Sequence, residues 1–245
     1  GLDMLAGLLE EHVDWELLLS TIGLPLPAAA VEEKSVLSEP GKLHISVARN
    51  EESFSFLYAE HLDILRRMGT VTFFNPEQDR PIPQETDLLY LPGGYPENRA
   101  LQLSAAPRVI DSVKAHIERG GKTIAECGGM MYLASELVMC KDPYTAFKMV
   151  DALPMKVSAC KDDMRLAMGY RSFDFRGVKL RGHEFHYSRI IEQDEKLASA
   201  VQVYNAKGHP VNTAVFCYKN LIASYTHLYW GETGIWSLFE QVPGK

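Results

Sequence analysis

The chain has 245 residues, 46% hydrophobic and 23% charged, an ordinary composition for a globular protein long enough to bury a core without disulfides or metals. Its formal net charge is −7, and with no block of lysine and arginine a nucleic-acid partner is not expected; no apolar run approaches the ~18 residues of a membrane span. Cys127, Cys140, Cys160 and Cys217 form no C-x-x-C pair, which argues against a zinc site or a disulfide framework and fits a cytoplasmic location.

Gly1-Leu2-Asp3-Met4 lacks the basic start and apolar core of a signal peptide. Residues 2–22 carry helical periodicity in Leu2, Leu5, Leu8 and Leu9, then in Trp15, Leu18 and Leu19, with Asp14 placed to cap the second helix. Gly23-Leu24-Pro25-Leu26-Pro27 stops it, and residues 25–41 read as a linker. The pair is either the tail of a preceding domain or a helical element packed on the same core. From Leu43 the texture changes. Leu43–Ala48 reads as a buried strand, followed by a helix that Asn50 or Ser53 would cap, with Phe54, Leu57, Tyr58, His61, Leu62, Leu65 and Met68 on one face. Val71–Phe74, Leu88–Leu91 and Lys122–Ala125 are further strands, and Pro107 opens a helix carrying Val109, Ile110, Val113, His116 and Ile117. This alternation predicts an α/β fold, a mostly parallel sheet with helices on both faces, whose ligands bind at the carboxyl ends of the strands. Beyond about residue 150 the pattern is strand-rich: Leu166–Tyr170, Ser172–Phe175, Leu180–Tyr187, Val201–Tyr204, Ala214–Tyr218 and Leu221–Thr226. A last helix is expected around Ile235, Trp236, Leu238 and Phe239.

Two strand ends carry unusual residues. Thr123-Ile124-Ala125-Glu126-Cys127-Gly128-Gly129 runs a strand into a cysteine among small residues and then into an expected amphipathic helix, the layout of a nucleophile elbow. A helix start behind the cysteine favours thiolate; a buried structural cysteine is the plainer alternative. Leu91-Pro92-Gly93-Gly94 can turn backbone N–H groups toward a ligand, and with Gly128 N–H could hold an oxyanion, though Pro-Gly-Gly also marks a plain turn. Of eight histidines, His227 stands just past a buried strand, on the sheet edge that carries Cys127, where it could act as general base. In Arg181-Gly182-His183-Glu184-Phe185-His186, strand alternation sends His183 and His186 to opposite faces, so they would not share a metal, whereas Glu184 and His186 share a face. No metal site is expected. Gly121-Lys122-Thr123 mimics the end of a P-loop, but the first glycine of that motif would fall at His116 and the segment enters a strand.

Taken together, Pro-Gly-Gly-Tyr-Pro-Glu at 92–97, Ala-Glu-Cys-Gly-Gly at 125–129, Gly-His-Glu-Phe-His-Tyr-Ser at 182–188 and Ser-Tyr-Thr-His at 224–227 resemble the C-terminal glutaminase domains of the cobyrinic acid a,c-diamide synthase family of cobalamin biosynthesis. The resemblance covers roughly residues 42–240. It implies a class I glutamine amidotransferase-like fold with flavodoxin-like layering over 42–245, and makes 1–41 the tail of a synthetase domain plus linker. It also implies that Cys127 attacks the glutamine carboxamide, that Gly94 and Gly128 hold the oxyanion and that His227 moves the proton. Ammonia would serve an ATP-dependent amidation of the a and c carboxylates of cobyrinic acid in the N-terminal synthetase domain; ATP and Mg²⁺ would belong there, and no cofactor to this domain. Many glutaminases of the class carry Glu two residues after the histidine. Here that position is Tyr229, so a Cys–His dyad is expected, with Glu184 or Glu232 as candidates to orient His227. Arg171 and Tyr187 are candidate glutamine-binding residues. The alternatives are the similar domains of cobyric acid synthase or nickel-sirohydrochlorin diamide synthase, a cysteine peptidase, and a non-catalytic ligand-binding domain.

Overall fold

The computed structural model describes residues 2–22, 41–231 and 235–239. The chain divides into two compact units, residues 1–36 and 37–245. In the first, both expected helices form, α1 (Leu2–His12) and α2 (Trp15–Ile22). Asp14 caps α2, its Oδ1 accepting from Leu17 N at 2.9 Å; such a cap satisfies a backbone donor that the helix itself cannot. Trp15, Leu17, Leu18 and Leu19 are exposed. The linker read over 25–41 lies, apart from Gly41, outside the described residues.

The second unit begins with the predicted alternation: β1 (Leu43–Ala48), α3 (Ala59–Met68), β2 (Gly69–Phe74), β3 (Leu88–Leu91), α4 (Ala100–Ser104), α5 (Pro107–Glu118), β4 (Lys122–Glu126) and α6 (Gly128–Tyr132). Strands then dominate: β5 (Ala134–Lys141), β6 (Tyr144–Lys148), β7 (Leu153–Ser158), β8 (Ala167–Phe175), β9 (Val178–His186), β10 (Arg189–Gln193), β11 (Val203–Asn205), β12 (Pro210–Val211), β13 (Val215–Tyr218), β14 (Leu221–Ser224) and β15 (His227–Leu228). The main sheet has the order β13-β14-β4-β3-β1-β2. Every neighbouring pair is parallel except the edge pair β13–β14. Two smaller sheets follow, β10-β7-β5-β6 and β12-β11-β8-β9-β15.

Side-chain alternation divides the sheet between two cores. Leu89, Leu91, Ala125, Leu221 and Ala223 pack with Val109, Val113 and Ile117 of α5 and Met130 and Met131 of α6. Their neighbours Ile45, Val47, Leu88, Tyr90, Ile124 and Ile222 pack with Ile64, Leu65 and Met68 of α3 and with Phe173 and Leu180 of β8 and β9. Helices therefore cover both faces, as expected, but α3 shares its face with strands.

Four expectations need correction. The helix after β1 starts at Ala59, and neither Asn50 nor Ser53 caps it. Asn50 Oδ1 instead accepts from Glu52 N and Phe54 N within a loop, because Phe56 N is drawn to the Gly93 carbonyl, 3.0 Å away; that tertiary pairing outweighs local helical preference. The helix after Cys127 is only five residues long and buried throughout, so it is not amphipathic. Strand-rich structure starts at Ala134, well before residue 150. The final helix is a 3-10 turn, Ile235–Phe239. Among the described residues no helix is long and apolar enough to cross a membrane.

Gly129 fixes how closely α6 approaches the sheet. A Cβ there would lie 2.0 Å from the Leu91 carbonyl oxygen and 2.6 Å from its carbon, backbone atoms of a central strand that cannot step aside. Gly129→Ala should cost more than about 3 kcal/mol or prevent folding. The check is the urea midpoint of the soluble variant; a loss under about 1 kcal/mol would mean that α6 can lift off β3.

Candidate active site

Cys127 occupies the one-residue turn between β4 and α6, with φ 48° and ψ −111°, a conformation that L residues rarely adopt. Its N–H donates to the Ser224 carbonyl at 2.8 Å, continuing the parallel register in which Ser224 faces Glu126. The turn fits because its surroundings are small. A Cβ on Gly128 would meet the Gly94 oxygen at 2.5 Å and Pro96 Cδ at 2.8 Å, so the two glycine turns lie backbone against backbone. The Cys127 thiol is aimed at the Phe185 carbonyl, 3.9 Å away, a long and weak contact.

His227 arrives from the neighbouring strand end. β15 pairs antiparallel with β9, His227 opposite His183. The two imidazoles stack at 4.9 Å with planes 16° apart, and His183 is itself held by Tyr58 Oη at 2.8 Å. Phe56 and Tyr58 close on His227 from 5.9 and 6.3 Å. A Cβ on Gly93 would sit 2.3 Å from His227 Cε1, so only glycine lets the imidazole lie over this turn. His227 Nδ1 is buried without a hydrogen-bond partner, a costly state unless a ligand or proton transfer uses it. His227 also lines a cavity of about 580 Å³ with Tyr58, Tyr170, His183 and Tyr229.

Burial decides the protonation states. It pushes the Cys127 thiol up to about 12, against the pull of Gly128 N–H and with help from the negative charges of Glu97, Glu126 and Glu184. Burial also holds His227 down to about 3, aided by His183, His61 and His186. The closed site therefore rests as neutral thiol and neutral imidazole, and the thiolate expected from a helix start is not its resting form.

Sequence reasoning missed Glu126. This fully buried carboxylate accepts from Tyr90 Oη at 2.8 Å, Leu228 N at 3.1 Å and Trp230 Nε1 at 3.3 Å. It thereby ties the residue before Cys127 to the residue after His227. Tyr90 Oη also meets His61 Nδ1 at 3.3 Å, and His61 stacks on Trp230 at 3.9 Å. The adjacency of Glu126 to Cys127 was its only signal in the sequence.

Gly128, next to Cys127, thus lies against Gly94, and His227 lies against the adjoining Gly93, while Arg171 and Tyr187 have other partners. The Arg171 guanidinium is engaged by Glu184, Thr213 and the Tyr170 carbonyl. Tyr187 is exposed, with its ring edge on Phe185. Neither makes a hydrogen bond or ring contact with Cys127 or His227. Glu184 and His186 share a face, bonded at 2.6 Å. Burial opposes the charged form of Glu184, but His186, Thr213 and Arg171 outweigh it and hold the group at about 2. With these partners Glu184 makes no hydrogen bond to His227, and Glu232 lies outside the described residues. No three His, Cys, Asp or Glu among the described residues are arranged to hold a metal.

Solved structures share the fold. A glutamine amidotransferase from Thermotoga maritima matches with a TM-score of 0.50 at 14% identity, covering 76% of this chain and 75% of that one. PurLQS from the same organism matches with a TM-score of 0.50 at 13% identity, covering 76% and 87%. The architecture is thus that of class I glutamine amidotransferase-like domains. Within that class, the chain belongs to the CobB/CobQ-like glutamine amidotransferase domain family, whose model matches residues 44–234. The cobyrinate a,c-diamide synthase of Priestia megaterium is 35% identical over 78% of this chain and 42% of its own length. The hydrogenobyrinate a,c-diamide synthase of Rhodobacter capsulatus is 37% identical over 93% of this chain and 52% of its own. A cobyrinate a,c-diamide synthase of Herminiimonas arsenicoxydans is 36% identical over 93% and 50%. The chain spans about half the length of these curated relatives.

Burial lifts the Glu126 carboxyl to about 7, although Tyr90, Leu228 and Trp230 pull it down. A carboxyl raised in the folded state binds its proton more tightly there than in the unfolded chain. Its contribution to stability is therefore complete below the unfolded value near 4.5 and lost as pH rises through 7. Glu126→Gln keeps an acceptor for Leu228 and Trp230, and its amide can donate to Tyr90 while Tyr90 donates to His61. Relative to the parent, the variant should gain about 3 kcal/mol between pH 4.5 and pH 8. Urea unfolding of both proteins across that range is the check, and a pH-independent difference would contradict the raised carboxyl.

Proposed function

We propose that the second unit is the glutaminase domain of a cobyrinate a,c-diamide synthase, with Cys127 as nucleophile and His227 as its proton carrier. The observation that carries this reading is the strained Cys127 turn packed against the Gly93-Gly94 turn, with the His227 imidazole lying on Gly93.

The chemistry follows from the resting state. With thiol and imidazole both neutral, proton transfer accompanies attack. As the Cys127 sulfur bonds to the glutamine carboxamide carbon, its proton passes to His227. Gly94 and Gly128 N–H groups receive the developing oxyanion; donors of this kind are worth several kcal/mol only when aimed where charge appears. The C–N bond then breaks, His227 returns the proton to the nitrogen, and ammonia leaves. Water, deprotonated by His227, cleaves the glutamyl thioester to glutamate and regenerates the thiol.

Ammonia then serves amidation of the a and c carboxylates of the corrinoid. That step needs ATP and Mg²⁺, which belong to a synthetase domain, and α1 and α2 would be the end of that domain. Relatives named for cobyrinate and for hydrogenobyrinate match to similar degrees, so the proposal is the a,c-diamide chemistry common to both.

The test is labelling by 6-diazo-5-oxo-L-norleucine, which loses N₂ as sulfur bonds to its methylene carbon. Intact and peptide mass spectrometry should place a single adduct on Cys127. It should be blocked by excess glutamine, absent in Cys127→Ala and slowed at least about tenfold in His227→Ala. A folded chain that stays unlabelled, even alongside the synthetase domain of a relative, would favour a non-catalytic ligand-binding domain.

A further inference from the structure

Three carboxylates bear on the Cys127 thiol: Glu97, Glu126 and Glu184. Among the described residues, none of the side-chain charges that bear on the thiol is a cation. Two of the three are fully engaged. Glu126 holds Tyr90, Leu228 and Trp230, and Glu184 holds His186, Thr213 and Arg171. Glu97 is different. Its Oε2 is buried and has no hydrogen-bond partner. Burial accordingly raises its carboxyl.

Its position is fixed by the fold. Glu97 lies in the 3-10 turn Pro96–Arg99 that follows the Gly93-Gly94 turn. Pro96 abuts Gly128, where a Cβ would stand 2.8 Å from the proline ring. The carboxylate lies near enough to Cys127 and Tyr225 for its charge to disfavour ionisation of both. A buried acid with an idle oxygen is a standing cost that a cationic donor would remove. Among the described residues no donor reaches this oxygen, so the cation would arrive with the ligand. A ligand that presents a carboxamide to Cys127 and an ammonium a few bonds away is an α-amino acid amide.

We propose that Glu97 receives the α-ammonium group of the glutamine that Cys127 attacks, an inference that rests on the glutaminase reading above. The role is one of substrate selection: Glu97 distinguishes glutamine from amides that lack the amino group, and takes no part in the proton transfers.

Two electrophiles test it on the whole chain, 6-diazo-5-oxo-L-norleucine and its desamino counterpart, 6-diazo-5-oxohexanoate, with Cys127 adduct formation followed by mass spectrometry. The parent should react about ten- to a hundredfold faster with the amino probe, the range expected of one charge-assisted hydrogen bond. In Glu97→Gln the ratio should fall to within about threefold; removing the charge that opposes thiol ionisation moves both rates together, so the ratio of the two rates is the readout, which a merely structural role would not move. Glu97→Asp, which keeps the charge on a shorter arm, should give an intermediate ratio and serves if the glutamine variant does not fold. A parent ratio near one, or a ratio that survives in Glu97→Gln, overturns the assignment to Glu97 while leaving Cys127 as nucleophile. Failure of both probes to label the folded parent, even alongside the synthetase domain of a relative, removes the glutaminase reading itself, and this inference with it.

Discussion

Cys127 turns the chain from strand to helix within a single residue, at φ 48°, and the rest of the site depends on that turn being held. Such a conformation costs on the order of 1–3 kcal/mol and persists only where its surroundings over-determine it. Here β14 fixes one side through the Ser224 carbonyl, and β3 fixes the other, because α6 lies against Leu91 with no room for a Cβ at Gly129. The same close approach brings the Gly94 and Gly128 backbones together and leaves a bare glycine at position 93 for the imidazole. A single steric requirement therefore places Cys127, the Gly94 and Gly128 backbones and the His227 imidazole.

The electrostatics of the pocket follow from its burial. A helix start stabilises a neighbouring anion by roughly 0.3–1 kcal/mol, and α6 is barely more than one turn long. Moving the Cys127 thiol from 9.0 to about 12 corresponds to roughly 4 kcal/mol in the opposite direction. Desolvation wins, reinforced by surrounding carboxylates. Burial and these carboxylates together favour the neutral thiol.

What could be read from the sequence was what is local to it. The elbow, the Pro-Gly-Gly turn and the histidine just past a buried strand each rest on a few adjacent residues, and period-two alternation correctly separated His183 from His186. The features missed join distant segments. Tyr90 reaches Glu126 across 36 positions and Leu228 reaches it across 102; nothing in the spacing of those residues announces the network. The misplaced start of α3 has the same origin, since the Phe56–Gly93 bridge overrides the helical pattern of 53–58. Strands β5 and β6 escaped because they show no strong alternation; β7 does alternate, with Leu153, Met155 and Val157 buried, and its signal was overlooked.

The position two residues beyond the histidine, where many glutaminases carry an acid, is here the exposed Tyr229. The nearest functional substitute is Glu126, but it works differently. An acid bonded to the imidazole would both orient the ring and favour its protonated form. Glu126 instead accepts from the Leu228 backbone, so it fixes the strand that carries His227 without touching the ring. Orientation falls to Gly93, His183, Phe56 and Tyr58, all uncharged at neutral pH, and His227 accordingly stays near 3. Position is thereby separated from basicity. Under the proposed function, an imidazole held so low would take a proton from the thiol only as the carbon–sulfur bond forms, and ammonia release would then wait on a correctly seated amide.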